Sequence, residues 1–124
     1  MTDLPARFIE RLRATLGADH VLTDPADRWP YGQDNSRRQA PPDAVAFATT
    51  RAQVVETVRL CNEYGMPLVA RGRGTNTTGG TVPVRGGLVL SLERMDRILE
   101  TDAANRVMRV EPGAINQTVQ NAAA

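Results

Sequence analysis

The sequence predicts an α+β fold that begins with a parallel βαβ unit and continues into further strands of the same subdomain. Three observations predict it. Two short apolar runs, at residues 44–48 and 67–70, flank a helical pattern. A glycine-rich loop follows the second run, and three more strand-like segments come after that loop. The length of 124 residues suits one domain or part of a larger one.

The N-terminal segment, residues 1–39, is predicted to hold one helix and an irregular stretch. Gly17 is a natural stop for an amphipathic helix. Its apolar stripe consists of Phe8, Ile9, Leu12 and Leu16. Residues 21–43 mix Pro, Gly, Asp and Asn, a composition typical of irregular structure. Within them we expect Trp29 and Tyr31 to be isolated hydrophobic anchors.

The βαβ unit is predicted from three consecutive patterns. AVAFA at residues 44–48 is a continuous apolar run, typical of a strand covered on both faces. Thr50 and Gln53 match a capping box, and Gly65 ends the helix that follows. The predicted inward-facing stripe of that helix consists of Val54, Val55, Val58 and Cys61. Residues 67–70 form the next strand, so the crossover is expected to be parallel and right-handed.

Three later segments are predicted to be strands: residues 88–92, 97–102 and 107–112. Residues 103–105 form the turn between the last two. Residues 114–124 have a helical pattern, with Ile115, Val119 and also Thr118 expected to face inward. Because the closing letters QNAAA carry no capping or turn signal, we expect a cut inside a larger protein.

Composition narrows the class of protein. Hydrophobic residues make up 41% and charged residues 23%, values normal for a globular chain. The net charge of +1 gives no general attraction for nucleic acid or for a membrane surface. One cysteine, Cys61, cannot form an intrachain disulfide and suits a reducing compartment. The N-terminus has no signal-peptide pattern, so we expect a cytoplasmic protein.

The glycine-rich loop, RGRGTNTTGG at residues 71–80, is the strongest candidate site. A loop at the carboxyl end of a parallel strand lies where α/β sheets bind ligands. Glycines allow positive φ and close approach to backbone N–H groups, and several such groups around one concavity bind an anion. Threonine and asparagine add donors with little bulk. The loop therefore predicts a phosphate or pyrophosphate site, against the alternative of a plain connection.

Two common phosphate motifs do not fit this loop. The dinucleotide pattern G-x-G-x-x-G matches at Gly72 and Gly74 but has Thr77 at its last position. The triphosphate loop G-x-x-x-x-G-K-[ST] has Gly80 where lysine belongs, and the chain contains no lysine. Triphosphate hydrolysis is therefore not expected. No Cys/His cluster with metal-ligand spacing is present in the sequence, so no metal site is predicted.

A resemblance to a known family rests on three segments that occur in order: PLVARGRGTNTTGG, GGLVLSLERMDRILETD and VEPGAINQTV. Together with residues 41–48 they resemble the FAD-binding domain of the vanillyl-alcohol-oxidase superfamily. They look most similar to its glycolate oxidase subunit and D-lactate dehydrogenase branch. The resemblance implies that residues 40–124 are the N-terminal part of a two-subdomain FAD-binding domain.

The resemblance also implies which residues contact FAD. In that family the corresponding loop wraps the FAD pyrophosphate with backbone N–H groups and small hydroxyls. The implied cofactor-binding residues are Arg71, Gly72, Arg73, Gly74, Thr75, Asn76, Thr78, Gly79 and Gly80. Asn76 departs from the family pattern, because close relatives usually carry glycine there. The loop contains no histidine or cysteine, so the implied attachment of FAD is non-covalent.

The implied activity is that of a longer flavin-dependent oxidoreductase that oxidises a small-molecule 2-hydroxy acid such as glycolate or D-lactate. Substrate-holding residues in this family come from a later cap domain, so no catalytic residue is expected in this chain, which alone should be inactive. The chain is expected to associate with copies of itself. An electron acceptor and a peripheral membrane partner stay open. The alternatives are a non-catalytic phosphate- or nucleotide-binding module and a structural fragment.

Overall fold

The first helix, α1, spans Ala6–Leu16 and begins after Pro5, whose φ of −61° suits a helix start. The computed structural model describes residues 4–124. One face of α1 is buried by the predicted apolar stripe, namely Phe8, Ile9, Leu12 and Leu16. Gly17, with φ of 98°, ends the helix and donates its backbone N–H to Arg13. The predicted helix and its buried stripe are therefore confirmed.

The stretch after α1 is more regular than its composition indicates. It contains strand β1 at Val21–Leu22, helix α2 at Pro25–Arg28, and two short 3-10 helices. Strand β1 pairs antiparallel with the next strand of the sheet. Within residues 21–43 the prediction of irregular structure was wrong for β1, α2 and the 3-10 helix at Trp29–Gly32, because two to four residues are too few to show a period. Trp29 is 45% exposed and is not the expected anchor, whereas the Tyr31 ring packs on Phe47.

The main sheet is built around three parallel strands. Strand β2 is Ala44–Phe47, helix α3 is Arg51–Tyr64, strand β3 is Leu68–Arg71, and strand β4 is Leu88–Ser91. The strand order is β1-β2-β4-β3, so β4 lies between the two strands of the βαβ unit. Both β2 and β3 pair parallel with β4. The predicted parallel βαβ unit is confirmed, and its third strand fills the gap that the crossover leaves.

Helix α3 begins at the predicted cap. The Thr50 hydroxyl accepts a hydrogen bond from the Gln53 N–H at 3.2 Å. The Gln53 side-chain oxygen reaches back one residue beyond the cap and accepts from the Thr49 N–H at 2.8 Å. Gly65 has φ of 61° and ends the helix in the left-handed conformation that favours glycine.

The buried stripe of α3 differs from the predicted one. It consists of Thr57, Leu60 and Cys61, while Val55 and Val58 are 41% and 37% exposed. Burial of Thr57 is tolerated because its hydroxyl donates to the Gln53 carbonyl at 2.8 Å. Because this hydroxyl is hydrogen-bonded within the helix, the buried face of α3 can include Thr57. Val54 packs partly buried against the core and Cys61 is buried, both as expected, and burial raises the pKa of the Cys61 thiol to about 11.

The C-terminal part is a hairpin followed by a helix. Strand β5 is Ile98–Asp102, strand β6 is Val107–Val110, and helix α4 is Asn116–Ala123. The two strands pair antiparallel across the predicted turn. Helix α4 has no fully buried residue. The predicted inward face is wrong for Ile115, which is 49% exposed, and for Thr118, which is also exposed, whereas Val119 is half-buried. Among the described residues, no helix is long and apolar enough to cross a membrane.

The parallel sheet separates two apolar clusters. The larger cluster joins α1 and α3 to one face of the sheet, through residues such as Phe8, Leu12, Ala46 and Leu90. The smaller cluster lies on the other face and contains Val45, Phe47 and Val89, with Leu22 and Tyr31 packed against it. Because alternate strand residues point to opposite faces, both clusters draw on the same short strands. This sheet is the rigid support for the loops at its carboxyl edge.

Candidate functional site

The glycine-rich loop lies at the carboxyl edge of the three parallel strands. It leaves the end of β3 and belongs to the long connection between Arg71 and Leu88. The ends of β2 and β4 lie at the same edge, because β2 and β3 both run parallel to β4. Loops at this edge of an open parallel sheet are the usual place for a ligand. The predicted loop position is therefore confirmed.

Two glycines of the loop have the backbone conformation expected of an anion-binding turn. Gly74 has φ of 71° and Gly79 has φ of 81°, a region that residues with a Cβ rarely adopt. A Cβ at Gly74 would also collide with the Arg71 guanidinium. Gly80 differs, because a Cβ there would meet nothing closer than the Thr78 hydroxyl at 3.5 Å. Gly80 is thus the loop glycine at which the protein itself leaves room.

The loop presents a row of unused donors. Within residues 4–124, no backbone N–H from 72 to 81 donates a hydrogen bond to another protein group. Neighbouring N–H groups in glycine-rich turns form a concavity with a positive potential. Thr75, Thr78 and Gly80 are exposed and lie along this row. The loop therefore has the chemistry of an anion site built from neutral donors.

The side chains of the two loop arginines donate hydrogen bonds to backbone carbonyls of other segments. Arg71 donates from Nη1 to the Gln33 carbonyl at 2.6 Å, and its guanidinium lies 5.3 Å from the Tyr31 ring centroid. Arg73 donates from Nε to the Gly113 carbonyl at 2.7 Å. A Cβ at Gly72 would lie 3.3 Å from the Pro112 carbonyl oxygen, so this end of the loop packs closely on the segment after β6.

A small cavity lies beside the first residues of the loop. Its volume is about 290 Å³, and its lining residues are Pro30, Tyr31, Arg71, Gly72, Arg73 and Glu93. The Tyr31 hydroxyl donates to Glu93 Oε1 at 2.7 Å. Burial is the main cause and this hydrogen bond the second cause that raise the pKa of Tyr31 to about 12, so the phenol stays protonated at neutral pH. The cavity wall thus contains a hydrogen-bonded phenol–carboxylate pair next to the donor row.

The far half of the loop is tied to residues 33–39, which we call the clamp segment. Asn76 donates from Nδ2 to Asp34 Oδ2 at 2.7 Å, and the Thr81 hydroxyl lies 3.4 Å from the same oxygen. Asn35 contacts the loop backbone twice, from its N–H to the Asn76 carbonyl and from Nδ2 to the Thr75 carbonyl, both at 3.0 Å. Hydrogen bonds, foremost from Ser36, lower the pKa of the Asp34 carboxyl.

Sequence patterns do not predict Tyr31, Asp34, Asn35 or Glu93 as neighbours of the loop. Their contacts span about forty residues or more, and turn-forming composition alone carries no information about a distant partner. The nearest signal is the run of polar turn formers in the clamp segment, which indicates a loop without indicating what it touches. In the part of the chain that the structure describes, no group of three or more potential metal ligands comes together.

Comparison with known proteins gives a family match. The sequence model of the family described as "FAD binding domain" matches residues 42–124, about two thirds of the chain. The clamp segment lies just outside this match.

Two curated relatives are glycolate oxidase subunit GlcD of Bacillus subtilis and D-2-hydroxyglutarate dehydrogenase of Xanthomonas citri. The first is 37% identical over 107 residues, which is 86% of this chain and 23% of the relative. The second is 37% identical over 113 residues, which is 90% of this chain and 24% of the relative. The chain thus spans about a quarter of the length of the curated relatives it matches.

A solved structure is also similar. It is 4-ethylphenol oxidase from Gulosibacter chungangensis in complex with isoeugenol, with a TM-score of 0.85 and 31% identity. The match covers 94% of this chain and 24% of that chain. The fold of residues 4–124 therefore occurs within a much longer protein.

Proposed function

This chain belongs to the FAD binding domain family, and from that premise we propose that it is the FAD-binding portion of a longer flavin-dependent oxidoreductase. Residues 40–124 would then be the N-terminal part of the FAD-binding domain, preceded by residues 1–39. The proposed substrate class is a 2-hydroxy acid of the glycolate or D-lactate type. Support for that class comes from the relatives whose names state glycolate and D-2-hydroxyglutarate.

The loop after β3 is the proposed diphosphate site. The observation that carries this assignment is the row of backbone N–H groups from 72 to 81 that no acceptor among residues 4–124 uses. A diphosphate needs several donors at once and needs room for close approach, and Gly80 is the loop glycine that leaves such room. The side chains of Arg71 and Arg73 hold backbone carbonyls, so the phosphate charge would be compensated mainly by neutral donors.

The residues proposed to contact FAD are those of the loop: Arg71, Gly72, Arg73, Gly74, Thr75, Asn76, Thr78, Gly79 and Gly80. When bound, FAD supplies the redox chemistry by accepting a hydride equivalent from the substrate carbon. The loop's part is to bind and orient the cofactor. No residue of this chain is assigned to substrate deprotonation, so the chain alone is proposed to be inactive.

The proposed function is tested with the longer protein that contains this chain. The purified protein should carry a flavin absorption spectrum, and that absorption should bleach under anaerobic conditions when glycolate, D-lactate or D-2-hydroxyglutarate is added. 4-Cresol serves as the comparison substrate, because a further relative is the 4-cresol dehydrogenase flavoprotein subunit of Pseudomonas putida. Bleaching by 4-cresol and by none of the three 2-hydroxy acids would support a flavin-dependent oxidoreductase and would refute the proposed 2-hydroxy acid substrate class. A protein without flavin that binds inorganic phosphate would instead support a non-catalytic binding module.

We also propose that attachment of FAD through this chain is non-covalent. Residues 71–80 contain no histidine or cysteine, so the loop offers no side chain of the kinds that form such links. Acid precipitation of the flavin-loaded protein should therefore release all flavin into the supernatant. Flavin that stays in the pellet, and that co-migrates with a peptide from residues 71–80, would refute this proposal.

A further inference from the structure

The clamp segment carries a hydrogen-bond network that ends on the glycine-rich loop. Asp34 Oδ1 accepts from the Ser36 N–H at 2.7 Å, and Asp34 Oδ2 accepts from Asn76 Nδ2 at 2.7 Å. Thr81 completes the network, with its hydroxyl 3.3 Å from Asn76 Oδ1. Both oxygens of one carboxylate are thus occupied by donors, one from its own turn and one from the loop.

The chemistry of the network fixes the orientation of the Asn76 amide. A carboxylate only accepts hydrogen bonds, so the Asn76 atom facing Asp34 must be the nitrogen. The Asn76 oxygen therefore faces Thr81. The Thr81 hydroxyl has one proton, so it can donate to Asn76 Oδ1 or to Asp34 Oδ2 and not to both. Loss of the carboxylate would free the amide to rotate and would loosen both ends of the contact.

Asn35 orients the loop backbone itself. It donates to the carbonyl oxygens of Thr75 and Asn76. In a planar trans peptide the C=O and the following N–H point in opposite directions. Turning the carbonyls of residues 75 and 76 toward Asn35 therefore turns the N–H groups of Asn76 and Thr77 away from the clamp segment. Those two N–H groups belong to the unused donor row.

We propose that Asp34 and Asn35 are positioning residues that hold the donor row of the glycine-rich loop in its binding conformation. The proposal rests on the proposed function only in taking this row as the diphosphate site. It extends that site to residues outside the matched family segment of 42–124. It also gives Asn76 a role, because its side chain makes the contact that a glycine at this position could not make.

The effect is expected in loop order before it is expected in fold stability. Asp34, Asn35 and Asn76 lie outside both apolar clusters, so their removal leaves the sheet intact. Without the clamp the loop has glycines at 72, 74, 79 and 80 and few other contacts, so its backbone should become mobile. Mobile donors must be ordered again when an anion binds, which lowers affinity.

The direct test is ¹⁵N relaxation of the 124-residue chain as the unsubstituted protein and as Asp34→Ala, Asn76→Ala, the double variant, and Glu10→Ala as an exposed control. Backbone order parameters of residues 75–79 should fall from about 0.85 to below about 0.6 in both single variants. The double variant should resemble either single variant, since both remove the same contact. Residues 44–47 and 88–91 should keep their order parameters.

A second readout is the affinity for inorganic pyrophosphate. We expect this affinity to fall about tenfold in Asp34→Ala and to stay unchanged in Glu10→Ala. A tenfold change is of the size that one charge-assisted hydrogen bond supports. Unchanged order parameters in both single variants would overturn the positioning role. If the unsubstituted loop is ordered as expected and pyrophosphate still does not bind, the proposed diphosphate site fails, while the positioning of the loop by Asp34 stands. Should Asp34→Ala not fold, Asn76→Ala tests the same contact from the other side.

Discussion

The parallel sheet and the C-terminal hairpin use similar strand-forming residues and bury them very differently. All four residues of β2 and all four of β4 are buried, whereas no residue of β5 or β6 is. Leu90 in β4 is 1% exposed, and Leu99 in β5 is 52% exposed. The sheet is covered by α1 and α3 on one face and by the segment around Tyr31 on the other. The hairpin has no comparable cover among the described residues.

The difference separates two sources of order in the same chain. The sheet is stabilised by the burial of its apolar side chains, so the strand ends that carry the loops at its carboxyl edge are well ordered. The hairpin is held by its own ladder and by two ion pairs, Arg97–Glu111 and Arg109–Glu100. The two regions meet at the loop, where Arg73 binds the Gly113 carbonyl. We therefore expect substitutions in the sheet to act on stability and substitutions in the hairpin to act on association and pH response.

The largest expected effect is in the sheet. Leu90→Ala should lower the free energy of unfolding by about 2–5 kcal/mol, because it leaves a cavity under α1 and α3. Leu99→Ala is the matched control, and it should change that free energy by less than about 0.5 kcal/mol. Urea unfolding followed by circular dichroism, at a protein concentration at which the chain is monomeric, measures both. Equal losses for the two variants would show that the hairpin is covered within the monomer and would remove the contrast.

A second expected effect is association through the hairpin. Leu99, Val107, Val110 and Ile115 are each 39–54% exposed, and each leaves apolar area that contact with another chain can cover. The 124-residue chain should therefore sediment as a concentration-dependent oligomer. A Leu99→Glu, Val107→Glu variant should sediment closer to the monomer, and Arg7→Glu on α1 should behave as the unsubstituted chain. A monomer at every concentration would contradict this prediction.

The smallest expected effect is a pH response of the hairpin. Glu111 is 6% exposed and accepts from Arg97 Nε at 2.7 Å, and this contact lowers the pKa of the Glu111 carboxyl. A lowered pKa in the folded state means that the stabilisation is present above the ordinary value of 4.5 and is lost as pH falls through the folded-state pKa.

Thermal unfolding of the unsubstituted chain and of Glu111→Gln, measured from neutral to acidic pH, checks this response. The glutamine variant should unfold at a lower temperature near neutral pH, and the two unfolding temperatures should converge at acidic pH. A constant difference across the range would mean that the charge of Glu111 does not contribute.

The strands of the sheet and the position of the loop follow from local sequence. The run at 44–48 and the cap at Thr50 carry their signals within a few residues, so their boundaries in the structure differ by about one residue. The insertion of β4 between β2 and β3 does not follow, because sequence order does not determine strand order. The burial of Thr57 does not follow from local sequence either. A hydrophobic pattern does not include threonine, and the Thr57 hydroxyl is hydrogen-bonded within the helix.

The candidate site was predictable in the same uneven way. Glycines and small hydroxyls from 71 to 80 predict an anion-binding loop, because those residue types have few other uses in such density. Asp34 and Asn35 were not predictable, because their partners lie about forty residues away along the chain. Long-range contacts of this kind depend on the packing of the N-terminal segment against the sheet edge, which no local pattern describes.

The central claim is that the loop from 71 to 80 holds the diphosphate of FAD, and the flavin content of Gly80→Val in the longer protein tests it most directly. At Gly80 the chain leaves room for a Cβ, so the fold should survive while a β-branched side chain blocks the approach of a ligand. Gly79→Val adds backbone strain at φ of 81° and should show the same loss. Val84→Ala, 74% exposed in the same connection, is the control. The account predicts that both glycine variants keep their circular dichroism spectrum and lose their flavin, while the control retains it. Normal flavin content in Gly79→Val and Gly80→Val would contradict the claim.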